Sequence, residues 1–466
     1  MTTAASTAKV LGGWRESGDE PLPDRLAGAV ERAVLEGRLT IDARIPSERE
    51  LARALAVSRA TVSSAYASLR AGGWLSTRRG AGSVARVPAQ LRYGMEPSDL
   101  GQESGAIDLR RAAPAAPIAA YRQAMLEAME SITPQLTTSI AVRGLPALRE
   151  LIADRHARRG VPTSSEQILI TNGAIPSLWL CLAALLPRAP RVLVESPTYP
   201  IAIEALRHRA ACAVGWPVIA GWDIDEFDRV AREHRTTAAY LVPDFHNPTG
   251  QTMPPDTRTQ LVQRAEALGV ALLVDETMLE LDLRPGNPAP EPPVAGPGVV
   301  TLGSLSKAVW DGLRVGWIRA EPHVIARIAA HPLAAQVATA PLEQAIAAAL
   351  LPALDDVLEA RRRTLRTRLD HLLDGLARID GIHVDRPPDG GLSLWTTLER
   401  TSSAELAVLA AARGVLVDPG GRFAVSGGLD RHVRLPYSLP SPVLDRALEL
   451  LEPLLRAGSP ARPRPR

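Results

Sequence analysis

Lysine occurs at only two positions in this chain, Lys9 and Lys307, among 53 lysines and arginines together. Where arginine serves for nearly every positive charge, a lysine kept in the body of the chain marks work that a guanidinium cannot do. Arginine stays protonated near neutral pH, whereas a lysine whose pKa is lowered becomes an amine nucleophile. Lys307 stands in Gly303-Ser304-Leu305-Ser306-Lys307, directly after the apolar run Val299–Leu302. A strand, a tight Gly/Ser turn and a solitary amine form a layout suited to an imine with an aldehyde cofactor. Lys9 lies in a polar leader and asks for no such explanation.

Other residue types line up with it. Asp244-Phe245-His246-Asn247-Pro248-Thr249-Gly250 follows one apolar run, Asp275 ends another, and Gly312-Leu313-Arg314 comes shortly after Lys307. Strand ends along one edge of a parallel sheet are where ligands gather. These types suit pyridoxal phosphate. Asp275 can keep a pyridine nitrogen protonated so that the ring withdraws electrons, and Asn247 can hydrogen-bond the ring hydroxyl. Ser304, Ser306 and Arg314 can hold a phosphate, and Tyr199, in Glu195-Ser196-Pro197-Thr198-Tyr199-Pro200, offers a face for stacking. Taken singly, Asn-Pro-Thr-Gly is a turn, an Asp at a strand end is often a helix cap and Arg314 is a surface charge. Their order, together with the lone lysine, carries the joint reading.

The elements that must position these residues are legible as an alternation. Strand candidates are Gln167–Thr171, Arg191–Glu195, Ala213–Trp216, Ala238–Val242, Ala271–Asp275, Val299–Leu302 and Val315–Arg319, with helical patterns such as Ile175–Leu186 and Asp256–Leu268 between them. Near-continuous apolar strands separated by helices predict an α/β fold with a mostly parallel seven-stranded sheet covered on both faces. This large part is expected over about 107–335. A long helical stretch, Pro341–Ile379, opens a smaller α+β part reaching to 455.

Ahead of the body, residues 21–87 read as a separate module. Leu22, Leu26, Val30, Ala33 and Val34 recur at helical spacing. Ser47-Glu48-Arg49-Glu50 is a capping box that opens a second helix. After the short turn Ala56-Val57-Ser58, a third helix carries Val62, Ala65, Tyr66 and Leu69. Two helices joined this tightly form a helix-turn-helix whose second member can enter a major groove. Ser58, Arg59, Thr61 and Ser63, near the start of that helix, are polar, as base-edge and phosphate contacts require. Trp74–Thr77 and Ser83–Ala85 are expected to pair as a hairpin with a basic, glycine-rich tip, Arg78-Arg79-Gly80-Ala81-Gly82. Residues 1–20 are expected to be loose, 88–106 a linker, and the Pro/Arg-rich 456–466 a disordered tail.

Bulk properties set the limits. The chain has 466 residues, 46% hydrophobic and 22% charged, with a net charge of +2, so it is not a polycation as a whole. The module over Pro21–Val87 holds eleven Arg against six Asp/Glu, which points to a polyanion partner for that module alone. Cys181 and Cys212 cannot form a disulfide framework and show no metal-ligand spacing, and their apolar surroundings predict buried free thiols. No run is long enough to cross a membrane and no signal-peptide core is present, so a cytoplasmic location is the expectation.

Pro-Ser-Glu-Arg-Glu-Leu-Ala, Val-Ser-Arg-Ala-Thr-Val, Gly-Trp-Leu and Arg-Arg-Gly-Ala-Gly together resemble the winged helix of GntR-type repressors. The resemblance implies DNA contacts at Arg49, Ser58, Arg59, Thr61 and Ser63, and wing contacts at Arg79 and Gly80; the family often has a longer donor where Ala60 and Ser63 stand. Residues 107–455 resemble fold-type I aminotransferases. That resemblance implies Lys307 as the covalent anchor of the cofactor aldehyde, Asp275 at the pyridine nitrogen, Asn247 at the ring oxygen and Tyr199 over the ring. It also implies phosphate contacts from the backbone of Ala174 and Ile175 and from Ser304, Ser306 and Arg314, with Arg434 gripping an incoming carboxylate. The chain departs from the pattern at Thr277 and Met278, where a tyrosine usually shares the ring oxygen, at Ile175, where glutamine is common, and in lacking a tyrosine within Thr137–Arg143.

A winged helix, a linker and an aminotransferase-like body in this order resemble the MocR/GabR regulators, closest in phrasing to the YczR-like branch. The resemblance implies a regulator that binds operator DNA and senses pyridoxal phosphate, or an amine or amino acid that reacts with it, as a head-to-tail homodimer. Two rivals stand beside it. One is a working aminotransferase with an accessory DNA-binding domain. The other is a scaffold that has lost the cofactor.

Overall fold

The computed structural model describes residues 3–15, 20–35, 38–39, 43–78, 82–86, 105–133, 142–286 and 291–457. The basic module holds helices α1 (Ala4–Val10), α2 (Leu22–Leu35), α3 (Glu48–Leu55) and α4 (Arg59–Ala71), and an antiparallel hairpin of Leu75–Arg78 with Gly82–Ala85. The capping box closes as its sequence predicts: Glu50 N–H donates to Ser47 Oγ at 3.3 Å, and Ser47 N–H donates to Glu50 Oε2 at 2.9 Å. Ala56, in the left-handed region at φ 52°, ends α3, and Ser58 then caps α4 by accepting the Thr61 N–H at 3.0 Å. Leu26, Val30, Leu51, Val62 and Leu69 fill the core, and the buried Tyr66 hydroxyl donates to Pro46 O at 2.9 Å.

The leader differs from expectation. Residues 4–10 are helical, and Thr7, Leu11 and Trp14 are buried, the last two within the module's apolar cluster. Arg15 donates to the carbonyls of Leu55 at 2.6 Å and Ala56 at 2.9 Å, satisfying acceptors that the end of α3 leaves over. A composition of small and polar residues conceals two anchors, Leu11 and Trp14, that suffice to dock the segment. The wing tip Arg79 and Gly80, nearly all of the linker, and the tail from 458 lie outside the described residues.

The large sheet has seven strands, β1 (Ile168–Thr171), β2 (Arg191–Ser196), β3 (Cys212–Pro217), β4 (Ala238–Leu241), β5 (Ala271–Asp275), β6 (Val299–Ser304) and β7 (Gly316–Arg319). Their order is β1-β7-β6-β5-β4-β2-β3, parallel except for β7, which runs antiparallel to both neighbours. Alternate residues feed opposite faces. Val192, Val194, Tyr240 and Leu273 pack with Leu178 and Leu182 of the helix Ala174–Leu185, while Leu193, Leu241, Leu272 and Val274 pack with Phe227 and Leu261. That two-sided burial is why the strands read as unbroken apolar runs. Cys181 is buried, as expected, but Cys212 is exposed, because it opens β3 at the edge of the sheet.

The smaller part is a four-stranded antiparallel sheet, ordered Ile382–His383, Ser393–Leu398, His432–Pro436, Asp418–Pro419, with helices Leu354–Leu376, Ser403–Ala411 and Ser441–Ala457. A 3-10 turn at Leu351–Ala353, containing Pro352, divides the predicted long helical stretch. The start of the body also departs from expectation. Ile107–Asp108 pairs in parallel with Val415–Leu416, and Leu109 and Ala112 join the smaller part's core rather than the large one. The same smaller part meets the basic module: Ala404 and Val408 of helix Ser403–Ala411 pack into the apolar cluster that holds Leu11, Leu26 and Leu39. Among the described residues no helix is long and apolar enough to cross a membrane.

Candidate cofactor site and DNA-binding face

Register brings the polar residues of the large sheet together. Tyr240 lies opposite Leu273, and Asp275 lies opposite Leu302. Side chains two residues apart share a face, so Tyr240, Asp275 and Ser304 point to one side at the strands' carboxyl ends. There a cavity of about 740 Å³ opens. Lys307, Asp275, Asn247, Tyr199, Ala174, Ile175, Ser304, Ser306, Arg314 and Arg434 all line it. Every cavity residue singled out from the sequence is thus brought to one place.

Lys307 Nζ donates to Ala112 O at 3.0 Å. Burial pushes its pKa down to about 8; Asp311 opposes the shift, and Arg434 and Arg111 add to it. An appreciable share of the amine is therefore unprotonated near neutral pH. Asp275 is buried, which raises its pKa. Hydrogen bonds from the Thr277 N–H at 2.8 Å and the Tyr240 hydroxyl at 2.7 Å favour the carboxylate and fix its orientation. Tyr240 does not stand out in the sequence. The signal for it is a tyrosine inside an apolar strand on the same face as Asp275. Burial pushes Tyr199 up to about 12, so its ring faces the cavity as a neutral phenol.

At the other end of the cavity, Gly173 (φ 133°) precedes helix Ala174–Leu185, whose first N–H groups have no intrahelical acceptor and suit an anion. The Arg314 guanidinium reaches over this end: a Cβ placed on Gly173 would lie 3.6 Å from its Nη2. Ser306 N–H donates to Ser304 Oγ at 3.2 Å, shaping the turn before Lys307. Gly316 backs the loop so closely that an added Cβ would sit 2.7 Å from Gly173 Cα and 2.9 Å from Gly303 O. Both obstacles are backbone and cannot swing aside. Gly316→Ala is therefore expected to push Gly173 into the cavity, cost about 1–3 kcal/mol of stability and weaken phosphate-dependent cofactor binding at least tenfold. Thermal melts with and without cofactor check it; an unchanged cofactor-induced shift contradicts it.

The Asn247 loop is held from beneath. Glu195, fully buried, accepts the Val242 N–H at 2.8 Å and the Trp222 indole N–H at 2.5 Å, and its Oε2 lies 3.4 Å from His246 Nε2. Arg258, 2% exposed, bonds Asp244 Oδ1 at 2.8 Å and donates to the carbonyls of Met253 and Pro243. Neither Glu195 nor Arg258 stands out in the sequence; an arginine does not draw notice in a chain so rich in them.

Arg434 comes from strand His432–Pro436. Its Nη1 is 3.4 Å from Asn247 Oδ1, its Nη2 is 3.4 Å from Asp418 Oδ2 and also donates to Arg110 O, and its Cζ lies 5.1 Å over the Phe423 ring. Asn172 Oδ1 and Arg434 Nε, polar atoms of two cavity-lining residues, have no hydrogen-bond partner among the described residues. Buried polar atoms left this way call for a polar occupant. With a nucleophilic amine, a buried carboxylate and a helix N-terminus at one cavity, the donor set fits pyridoxal phosphate.

On the basic module, Arg49 stands in the first turn of α3, and Ser58, Arg59, Thr61 and Ser63 stand at the start of α4; Arg59 is exposed, and Thr61 and Ser63 are half-buried. Ser58 Oγ and Thr61 Oγ1 lie 2.8 Å apart, so these hydroxyls also serve the cap. Arg59 is 3.9 Å from Glu48, a loose and solvated pair.

The fold and the two sites define a winged helix joined to an aminotransferase-type body. Residues 105–451 match the family aminotransferase class I and II, and residues 22–84 match the bacterial regulatory proteins of the gntR family. The chain belongs to the aminotransferase class I and II family and, through its first module, to the HTH-type transcriptional regulators of MocR type. It is 31% identical over 433 residues to the HTH-type pyridoxine biosynthesis transcriptional regulator PdxR of Corynebacterium glutamicum, covering 88% of this chain and 91% of that one. It is 29% identical to the HTH-type transcriptional regulator TauR of Rhodobacter capsulatus, covering 91% and 94%. Among solved structures it resembles LysN, the α-aminoadipate aminotransferase of Thermus thermophilus complexed with N-(5'-phosphopyridoxyl)-L-leucine. The TM-score is 0.69 at 27% identity, over 79% of this chain and 96% of that chain. Pyridoxal phosphate is the cofactor this family implies. When bound it supplies an electron-withdrawing aldehyde ring that amines can join.

Proposed function

We propose that the chain is a transcriptional regulator acting in the cytoplasm as a head-to-tail homodimer. It binds operator DNA through paired winged helices and senses pyridoxal phosphate, or an amine or amino acid that reacts with it, at Lys307. The observation that carries this reading is the direct packing of the DNA-binding module on the smaller part through Ala404 and Val408, whose neighbouring strands border the cavity. Lys307 supplies the amine, Asp275 faces the pyridine nitrogen, Asn247 the ring oxygen and Tyr199 the ring face. Ala174, Ile175, Ser304, Ser306 and Arg314 hold the phosphate, and Arg434 meets a carboxylate. A ligand shifts such a regulator only by its differential affinity for two states. The relative named for pyridoxine biosynthesis supports the cofactor itself as one effector. Self-association is supported by helix Ile118–Ile132, which leaves Ile118, Met125, Leu126 and Met129 exposed, an apolar stripe that a second copy can cover.

DNA binding is tested by titrating a labelled fragment from upstream of the chain's own gene and of any divergent neighbour. Arg49, Ser58, Arg59, Thr61 and Ser63, with Arg79 and Gly80 on the wing, form the contact set. Arg49→Ala and Arg59→Ala are each expected to weaken binding and to lower the salt slope by about 1, as the loss of one phosphate contact does. Equal affinity and slope in wild type and the double variant would sink the assignment. The full set of cavity residues also favours the rival reading of a working aminotransferase. Sustained multiple turnover of an amino acid with a 2-oxo acid would decide for it.

A further inference from the structure

Arg434 is already occupied by a carboxylate of the chain itself. Asp418 stands directly opposite Arg434 on the adjacent antiparallel strand. Side chains so paired are held by register at about 4.5–5.5 Å between Cβ atoms, which keeps the two charged groups within reach of each other. Asp418 Oδ2 lies 3.4 Å from Arg434 Nη2, and its Oδ1 lies 2.6 Å from Arg422 Nη1. Arg422 in turn reaches Glu204 at 3.3 Å. Asp418 is 5% exposed and Arg434 4%, so solvent does little to screen the pair. The Nη donors of Arg434 also reach Arg110 O and Asn247 Oδ1, and its Nε has no partner among the described residues.

This end of the cavity therefore balances two arginines, Arg422 and Arg434, against two carboxylates, Asp418 and Glu204. A free amino acid docking its carboxylate on Arg434 meets a buried like charge on the same guanidinium, which builds discrimination against it into the site. Building on the cofactor reading above, we propose that Asp418 is a specificity-determining residue. It holds Arg434 as an internal carboxylate, so that among the effectors named above a free amino acid is disfavoured, and the cofactor itself or a simple amine, which brings no carboxylate to Arg434, is preferred.

The test uses the full chain loaded with pyridoxal phosphate, as wild type, Asp418→Asn, and Asp418→Asn with Arg434→Gln. Succinate, which carries carboxylates and no amine, is titrated by calorimetry. The proposal expects Asp418→Asn to bind succinate at least tenfold more tightly than wild type, and the added Arg434→Gln to abolish the gain. Unchanged or weaker binding in the folded variant overturns it, and so does a gain that survives Arg434→Gln. Asp418→Ser is judged by the same criterion if the Asn variant melts below the assay temperature. Borohydride trapping at Lys307 reports separately on the cofactor. If no adduct forms there, the cofactor reading falls, while the succinate comparison, repeated on protein without cofactor, still decides the role of Asp418.

Discussion

Lys307→Ala is expected to abolish covalent capture of pyridoxal phosphate. Wild-type protein treated with cofactor and borohydride is expected to yield a single pyridoxyl peptide containing position 307, and the variant none. The reason is chemical exclusivity. Lys9 belongs to the leader helix, and no arginine can replace the missing amine, because a guanidinium does not lose its proton in this range. The pH dependence follows from burial. With its pKa lowered to about 8, roughly a tenth of Lys307 is free base at pH 7, against a few parts in ten thousand for an ordinary lysine. The folded-state pKa lies below the ordinary value, so the reactive fraction grows as pH rises through about 8, where it is about half, and levels off above about 9. Stopped-flow absorbance should show the capture rate climbing about tenfold from pH 7 to 9. A rate still rising steeply past pH 9.5 would mean that the amine is not desolvated, and an adduct elsewhere in the chain would remove Lys307 from its role.

Arg258→Leu is expected to destabilise the body by about 3–5 kcal/mol, the cost of stranding a buried charge. Asp244, 4% exposed, loses its ion pair, and the carbonyls of Met253, Pro243 and Pro292 lose a donor. Arg258→Lys recovers little, since one ammonium cannot reach acceptors spread around a planar fork. The damage extends to the site, because Asp244 begins the loop that presents Asn247. Denaturant titration of the single variants and of Arg258→Leu with Asp244→Asn separates the pair from its surroundings. The double variant is expected to be less damaged than the sum of its parts, and a loss below 1 kcal/mol in Arg258→Leu would refute the reading.

How much is legible in the sequence depends on how conspicuous each residue is against its background. Lys307 stands out because its type is otherwise almost absent, and Asp275 because it ends an apolar strand. The large sheet can be read because strands buried on both faces must be apolar throughout. Arg258 is hidden by the opposite condition, one arginine among many, and Tyr240 by standing within an apolar strand where only register gives it a partner. The parallel pairing of Ile107–Asp108 with Val415–Leu416 joins segments some 300 residues apart, and no local pattern announces such a contact. The leader misleads because Leu11 and Trp14 are only two side chains, yet two suffice when a neighbouring module offers a seat and Arg15 finds the end of α3.

Helix Ser403–Ala411 faces two ways. At its first residue, Ser403 Oγ accepts the Gly420 N–H at 3.1 Å, two residues past Asp418, and through Ala404 and Val408 it leans on the DNA-binding module. Close-packed side chains transmit displacement because they cannot be compressed. Under the regulator reading proposed above, a displacement at the Gly420 amide near Asp418 has a short packed route, one rigid helix, to the apolar core of the DNA-binding module.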